Sequence, residues 1–241
     1  MKRLIRDIPI PLTRNDSLDS IDFEAGAALL IDKPKGITSF GVVQRVRSLI
    51  GIRKVGHTGT LDPLATGLLI LLTGKATRSQ NHFMSLDKEY LATILLGMMT
   101  DTWDMDGKIV AEAPVPSTTK DRLIQLINER FVGTFKQMPP AFSSIKQNGV
   151  PSYKRARKGQ QVKLDPRQVT LHNFSIEEWS PEEFTIRLDC SSGFYVRSLA
   201  HDIGEAIGCG GTLKSLIRKR IDTYQVDDAL TLGELAAKIK R

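Results

Sequence analysis

The most unusual polar cluster in the sequence lies in the loop 56–67, which reads Gly-His-Thr-Gly-Thr-Leu-Asp-Pro-Leu-Ala-Thr-Gly. It places one carboxylate, Asp62, and one imidazole, His57, among several hydroxyls just before an apolar run. A single Asp in a loop most often forms a turn by bonding nearby backbone amides. Glycines on both sides of Asp62, however, would let a large ligand approach the backbone, and a rigid strand follows. Asp62 is therefore the leading candidate for a chemical role.

Metal and phosphate-loop chemistry are not supported by the residue spacing. The histidines and cysteines form no CxxC, HxxxH or HExxH pattern. The segment Gly74-Lys75-Ala76-Thr77 fails as a phosphate loop, because Leu69 replaces the first glycine and Ala76 replaces the metal-binding hydroxyl. The acidic loop 101–107 fails as a calcium loop, because Ala113 would stand at its bidentate acid. We expect neither metal chemistry nor nucleotide hydrolysis.

Regular elements flank the Asp62 loop and must position it. A buried strand is predicted at 27–31, and Thr38 or Ser39 can cap a helix with apolar positions Phe40, Val43, Val46 and Ile50 that ends before Gly51. Further elements are predicted as strands at 68–72, 89–96, 169–177 and 184–190 and as helices at 75–86, 195–207 and 232–239, with another helix opened by Thr118. Strands often follow one another through short turns. This order favours an α+β fold with a mixed, mostly antiparallel central sheet flanked by helices.

Composition and charge narrow the class of protein. Hydrophobic residues make up 41% of the 241 residues, which excludes a wholly disordered chain. The longest apolar run, at 67–73, is far shorter than the roughly 20 residues of a membrane-spanning helix. The first 14 residues show no secretory signal, so we expect a cytoplasmic protein. A net charge of +7, with no acidic residue from 145 to 164, is compatible with a polyanionic partner.

Several motifs, in the same order along the chain, resemble those of the TruB family of tRNA pseudouridine synthases. The central one is the loop 56–67 itself. The others are Asp32-Lys33-Pro34-x-Gly36-x-Thr38-Ser39, Lys88-x-Tyr90, Thr100-Asp101-Thr102-x-Asp104-x-Asp106-Gly107, Ser191-x-Gly193-x-Tyr195-x-Arg197 and Gly208-Cys209-Gly210-Gly211. The resemblance covers most of the chain, from about residue 28 to 239. It implies the pseudouridine synthase fold and the isomerisation of uridine 55 in the T loop of tRNA, without a cofactor.

The resemblance also implies roles for individual residues. Asp62 matches the catalytic nucleophile, Tyr90 matches the tyrosine that stacks on the target base and is implicated in proton transfer, and Arg197 matches the arginine that pairs with the catalytic carboxylate. The residues that match contacts to the flipped nucleotide are His57, Tyr195 and Leu216. The residues predicted to contact the RNA backbone are Lys154, Arg155, Arg157, Lys158 and Arg218.

The implied chemistry suits these residue types. Detaching uracil from C1′ and rejoining it through C5 requires a nucleophile that can add and leave, as a carboxylate can. An arginine beside Asp62 would keep the carboxylate charged against the effect of burial. A base in a stem-loop must be extruded and stacked on an aromatic ring. Whether Asp62 attacks C1′ or C6 stays open.

Each role has a simpler alternative. Tyr90 and Leu216 could be ordinary core residues, and His57 could cap a turn. Arg197 could pair with an exposed acid for little energy. For the whole chain, the alternatives are a non-catalytic tRNA-binding or tRNA-folding protein and a guide-RNA-dependent subunit.

The predicted organisation is one catalytic domain. Residues 1–26 are expected to form an irregular extension, and 27–241 the catalytic domain, with an insertion at about 117–165 that grips the T arm. No C-terminal RNA-binding domain of the PUA type is expected. Ile217 departs from the family pattern, because relatives often have arginine there. The predicted partner is the tRNA T arm, with no membrane and no required protein partner, and the chain is expected to be a monomer.

Overall fold

The computed structural model describes residues 8–147 and 149–239, and these form two compact units. The first unit is Met1–Lys88 with Ile217–Arg241, and the second is Glu89–Leu216. Residues 1–7 of the predicted N-terminal extension, and the last two residues of the predicted catalytic domain, lie outside the described residues.

The described residues contain six α-helices and fourteen short or long strands. The helices are α1 (Ser39–Ile50), α2 (Gln80–Ser85), α3 (Lys120–Arg130), α4 (Ser152–Ala156), α5 (Val196–Ile207) and α6 (Leu232–Ile239). The strands are β1 (Pro11–Leu12), β2 (Ala28–Lys33), β3 (Val55–His57), β4 (Thr66–Thr73), β5 (Lys88–Leu96), β6 (Met98–Thr100), β7 (Ile109–Glu112), β8 (Gly133–Gln137), β9 (Lys146–Gln147), β10 (Val150–Pro151), β11 (Arg167–Trp179), β12 (Glu183–Cys190), β13 (Gly211–Ile221) and β14 (Tyr224–Gln225).

The first unit is built around β2 and β4, which pair antiparallel from Ala28↔Leu72 to Lys33↔Gly67. Strand β1 pairs parallel with β2, β3 pairs antiparallel with β4, and residues 217–218 of β13 pair parallel with the start of β4. The side chains of β2 and β4 alternate between two apolar clusters. Both faces of these strands are therefore buried, which explains their continuous apolar sequence.

Helices α1 and α6 cover one face of β2 and β4. Val43 and Val46 of α1 and Leu235 of α6 pack in the same cluster as Leu69 and Leu71. Thr38 caps α1 by accepting from the Gly41 amide at 2.9 Å, and Gly51 ends the helix in the left-handed conformation. The predicted helix is confirmed, except that Phe40 is 54% exposed and does not belong to its apolar face.

The second unit contains an antiparallel hairpin of β11 and β12, with β8 beyond β11 and β5 beside β12. Along β5, burial alternates so that Lys88, Tyr90, Ala92 and Ile94 share the buried face. Helix α5 ends at Gly208, as predicted, in the left-handed conformation. The parallel and antiparallel pairs together confirm the predicted α+β class with a mixed, mostly antiparallel sheet.

Three local predictions were wrong. Residues 74–85 form a 3₁₀ helix followed by the short α2, and not one helix. Helix α3 is capped by Thr119, whose hydroxyl accepts from the Arg122 amide, and not by Thr118. Strand β13 was missed, because its buried positions do not alternate regularly and include the charged Arg218.

Candidate active site

Asp62 lies in the irregular segment between β3 and β4, and its residue is half-buried. The amide of Ala65 donates to the carbonyl oxygen of Asp62 at 3.1 Å, which closes a tight turn around the residue. Since β4 begins at Thr66 and is buried from Gly67 onward, the C-terminal side of this turn joins a rigid strand. The sequence therefore places Asp62 at the entrance to the most buried strand of the first unit.

The segment 33–39 anchors the backbone of this loop at three points. The Ser39 hydroxyl donates to the Leu61 carbonyl at 3.0 Å and accepts from the Leu61 amide at 2.8 Å. The Gly36 amide donates to the Pro63 carbonyl at 2.8 Å, and the Lys33 ammonium donates to the Ala65 carbonyl at 2.6 Å. Because Thr38 caps α1, the neighbouring Ser39 hydroxyl is available for the loop. Both neighbours of Asp62 in the chain are thus fixed.

Arg218 anchors the same loop further out. Its side chain is only 2% exposed, its Nε donates to the Leu68 carbonyl at 2.7 Å, and its Nη2 donates to the Gly59 carbonyl at 3.2 Å. The sequence analysis predicts Arg218 as an RNA-backbone contact, whereas the structure buries its guanidinium against the Asp62 loop. The sequence analysis expected a large ligand against the loop glycines. At Gly67 the backbone of Arg218 occupies this space, because a Cβ built on Gly67 would stand 2.4 Å from the Arg218 carbonyl oxygen.

The charges around Asp62 interact within the first unit. Burial lowers the pKa of Lys33 to about 8; the negative charge of Asp62 opposes this shift, and Arg218 adds to it. Burial and the charge of Arg218 lower the pKa of His57. The Gly59 amide donates to His57 Nδ1 at 3.4 Å, which suits a neutral ring with its proton on Nε2. The surroundings of His57 thus favour a neutral ring that can donate from Nε2.

Arg197 is held at the start of α5 in the second unit. Its Nη1 donates to the Thr102 carbonyl at 3.0 Å and its Nη2 to the Phe142 carbonyl at 2.9 Å. Its Nε lies 3.5 Å from the Asp104 carboxylate, and both side chains are buried. The alternative of an exposed ion pair is therefore wrong. The pairing with Asp62 that the family resemblance implies stays a prediction.

The loop 100–107 is shaped to meet α5. Asp104 accepts from the Thr102 hydroxyl at 2.6 Å and from the Asp106 amide at 3.1 Å, so its carboxylate organises the turn as well as pairing with Arg197. Trp103 has a φ of 63°, and its ring stacks on the ring of His201 with centroids 4.3 Å apart. His201 lies one turn after Arg197 in α5. The acidic pattern that fails as a calcium loop thus has a structural role.

Three further predicted residues lie in the second unit. Tyr195 precedes α5, and the Gln137 side chain holds its backbone from both sides, accepting from the amide at 2.8 Å and donating to the carbonyl at 3.0 Å. Leu216 is buried on β13, and Tyr90 is buried on β5. Tyr90 and Leu216 are each 8% exposed, so both reach the surface slightly.

The predicted RNA-backbone residues of the basic segment lie on α4 and directly after it. Lys154, Arg157 and Lys158 are exposed and Arg155 is half-buried. The guanidinium of Arg157 lies 5.6 Å from the centre of the Tyr153 ring. These side chains line a cleft of about 640 Å³. Exposure and charge make this cleft suitable for phosphates.

The structure brings His57, Asp62 and Arg218 together in the first unit. Tyr90, Tyr195, Arg197 and Leu216 belong to the second unit. The sequence analysis missed Ser39, Lys33 and Gln137 as positioning residues, and for Lys33 a signal existed. A lysine that ends an apolar strand directly before proline must either reach solvent or bury a charge. Within 8–147 and 149–239, no group of three or more His, Cys, Asp or Glu side chains could hold a metal ion.

The comparisons with known proteins identify the family. The profile of the TruB family pseudouridylate synthase N-terminal domain matches residues 47–196, and that of the tRNA pseudouridylate synthase B C-terminal domain matches residues 197–241. A protein from Opitutus terrae named tRNA pseudouridine synthase B is 45% identical over 214 residues, covering 89% of this chain and 88% of the relative. One of the same name from Aquifex aeolicus is 47% identical and covers 86% and 72%. The chain belongs to the TruB family of pseudouridylate synthases.

Solved structures agree with this fold. A Cbf5-Nop10-Gar1 complex matches with a TM-score of 0.70 at 26% identity, covering 94% of this chain and 58% of the matched chain. An H/ACA RNP bound to a substrate RNA containing 2′-deoxyuridine matches with a TM-score of 0.66 at 26% identity, covering 89% and 53%. The chain thus spans a little over half of each matched chain. No helix of the described residues is long and apolar enough to cross a membrane.

Proposed function

We propose that this chain converts uridine 55 in the T loop of tRNA to pseudouridine, with Asp62 as the nucleophile. The observation that carries the proposal is the anchoring of the Asp62 loop, in which backbone groups on both sides of one carboxylate are fixed by buried side chains. Relatives that share 45% and 47% identity with the chain are named tRNA pseudouridine synthase B, which supports tRNA as the substrate.

The reaction is an isomerisation and balances without a co-reactant. The bond between C1′ and N1 of the uridine breaks, and a bond between C1′ and C5 forms. The hydrogen of C5 leaves as a proton, and N1 gains a proton. A carboxylate can add to the nucleotide and later leave, at either C1′ or C6. Nothing in this sequence of steps requires a metal or an organic cofactor.

The other residues have roles that suit their surroundings. We propose that Tyr90 stacks on the flipped uracil and assists proton transfer, and that Arg197 maintains the charge of the catalytic carboxylate. His57, Tyr195 and Leu216 would contact the flipped nucleotide. His57 is suited to this because its lowered pKa keeps it neutral, so it donates from Nε2 without competing with Asp62 for a proton.

The exposed basic segment supports binding of the T arm. We propose that Lys154, Arg155, Arg157 and Lys158 contact phosphates, because they lie together at one cleft. Phosphate contacts of this kind supply affinity through release of counterions and carry little sequence information. The choice of uridine is then left to the Asp62 loop and the residues that receive the flipped base.

The test is release of tritium from an unmodified tRNA transcript labelled at C5 of uridine. The wild-type chain should release tritium, and Asp62→Asn should release none while keeping its fold and its affinity for tRNA. Asp19→Asn removes an exposed carboxylate of the same unit and should keep full activity. A transcript with cytidine at position 55 should lose the signal. Substantial release by Asp62→Asn would refute the assignment, and tight binding without release by the wild type would favour a non-catalytic tRNA-binding protein.

We also propose that the chain acts in the cytoplasm as a monomer, without a guide RNA or protein partner. The cytoplasm is proposed because the tRNA substrate is present there. The same assay tests independence, because purified protein and transcript should suffice. Light scattering of the purified chain should give the mass of one copy, near 26.8 kDa. Activity that appears only after adding an RNA fraction would contradict the proposal.

A further inference from the structure

Arg218 is the largest fully buried side chain among the described residues. It lies on β13 opposite Gly67, in the short parallel pairing with the first residues of β4. Removing a guanidinium from water costs several kcal/mol unless its donors are satisfied. A side chain that is 2% exposed cannot offset that cost by hydrating its charge. Contacts of Arg218 within the local structure must therefore offset the cost of burying its guanidinium.

The partners of Arg218 lie on both sides of Asp62 in the sequence. The Gly59 carbonyl precedes Asp62 and the Leu68 carbonyl follows it, and one guanidinium donates to both. Gly59 has a φ of 150°, and a Cβ built there would stand 3.5 Å from Arg218 Nη1. Gly67 has a φ of 99°, where only glycine fits against the Arg218 backbone. Gly67 thus admits the backbone of Arg218, while a Cβ at Gly59 would meet its guanidinium only at van der Waals distance.

Arg218 also contributes to the electrostatics of the loop. Its charge lowers the pKa of His57 and the pKa of Lys33, in each case after the effect of burial. The pKa of Lys33 also responds to Asp62. The four ionisable groups therefore act on one small region of the first unit, and the guanidinium favours the neutral form of His57.

We propose that Arg218 is a positioning residue of the Asp62 loop and not an RNA phosphate contact. It ties the two ends of the loop together, so that Asp62 is presented in one orientation. Its cation adds to the effect of burial in favouring the neutral form of His57. The catalytic part of this proposal rests on the proposed function, while the positioning part concerns the free protein alone.

Position 218 requires both the fork geometry and the charge of arginine. Two substitutions separate the contribution of the geometry from that of the charge. Arg218→Lys keeps a buried cation, but a single ammonium on a shorter stem cannot donate to both carbonyls in the same fork geometry. Arg218→Met keeps an unbranched chain of similar length and removes the charge together with both hydrogen bonds. Lys158→Met is the matched control, because it removes an exposed cation that we propose to contact phosphate.

The first experiment uses the free protein, so it does not depend on any activity. The His57 ring is titrated by NMR, and hydrogen exchange is followed at the amides of residues 59–62 and 64. In Arg218→Met the pKa of His57 should rise, and exchange in the loop should accelerate at least about 10-fold. In Arg218→Lys the pKa of His57 should stay low while exchange still accelerates. An unchanged loop in both variants would overturn the proposal, whether or not the wild type is active on tRNA.

The second experiment measures kcat, KM and the salt dependence of tRNA binding. Both Arg218 variants should lower kcat at least about 10-fold, with KM within about 2-fold and an unchanged salt slope. Lys158→Met should instead raise KM and reduce the slope of log K against log salt by about 1, with kcat unchanged. Arg218 variants that behave like Lys158→Met would show a phosphate contact and overturn the proposal. If Arg218→Met does not fold, Arg218→Lys alone decides, and a loss of thermal stability with normal kcat would also overturn it.

Discussion

Ser39 gives a direct way to test whether the anchoring of the Asp62 loop matters for catalysis. Its hydroxyl is buried and bonds both the amide and the carbonyl of Leu61, the residue directly before Asp62. Ser39→Ala removes both bonds and leaves two buried backbone groups without this partner. The substitution keeps the helix, because Thr38 and not Ser39 is the cap of α1.

The expected loss of stability follows from the two backbone groups of Leu61 that Ser39→Ala leaves without the hydroxyl. Leaving a buried donor or acceptor unsatisfied costs about 1 to 3 kcal/mol, so the pair together should lower the free energy of unfolding by about 3 kcal/mol. For a chain of this size, a change of that magnitude lowers Tm by roughly 6 to 12 °C. Displacement of Asp62 by a fraction of an ångström should also lower kcat by about 10-fold or more, since small misplacements are costly in catalysis.

Ser48→Ala is the matched control in the same helix. The Ser48 hydroxyl donates to the Gln44 carbonyl at 3.2 Å on the exposed side of α1, so its loss should change the free energy of unfolding by less than about 0.5 kcal/mol. Thermal unfolding and tritium release are measured for both variants beside the wild type. Equal Tm values for the two variants would show that the Leu61 bonds contribute nothing. A destabilised Ser39→Ala with wild-type kcat would show that the anchor serves stability alone.

Two further predictions concern stability. The pKa of Lys33 is about 8 in the folded chain, against an ordinary value of 10.5. Between these pH values the unfolded state binds more protons, so the free energy of unfolding should rise with pH by at most about 3 kcal/mol. Urea unfolding from pH 7 to 10 should show this rise in the wild type and not in Lys33→Met. Gly204→Ala places a Cβ 2.1 Å from the backbone of Gly210 and should lower the free energy of unfolding by about 1 to 3 kcal/mol, whereas Gly233→Ala, with nothing nearer than 3.9 Å, should raise it by up to about 1 kcal/mol. Similar Tm values for the two alanine variants would contradict the close approach.

Elements with strong local signals could be predicted from the sequence. Helix α1 has a capping threonine before it and Gly51 after it, and α5 ends at Gly208, so their bounds follow from residues close in the chain. Strand β13 could not be predicted in this way, because Arg218 on its buried face contradicts the apolar alternation of a strand. Its guanidinium donates to carbonyls about 150 residues away in the sequence. A long-range partner of this kind leaves no local pattern.

The residues of the candidate site also differ in whether a local sequence pattern predicts them. Asp62 and its glycines stand out within one short loop, so residue types and spacing were sufficient to select them. Arg218 was grouped with the RNA-backbone contacts because of its charge and its basic neighbours, and no local pattern in the sequence signals that its side chain is buried. Gln137 carried no signal, since its role depends on two bonds to the backbone of Tyr195.

The segment 33–39 and the loop 56–67 behave as one physical unit although the sequence separates them. An irregular loop can aim a carboxylate in a direction that the pleat of a strand does not allow, but ordering each of its residues costs about 1 to 2 kcal/mol of conformational entropy. Each side-chain anchor of the loop comes from a regular element: Lys33 ends β2, Ser39 begins α1, and Arg218 lies in β13. These elements are already ordered by the apolar clusters around β2 and β4, so the anchoring side chains lose little further freedom. Substitutions at the three anchors should therefore act on kcat through the orientation of Asp62, although none of them needs to touch the nucleotide.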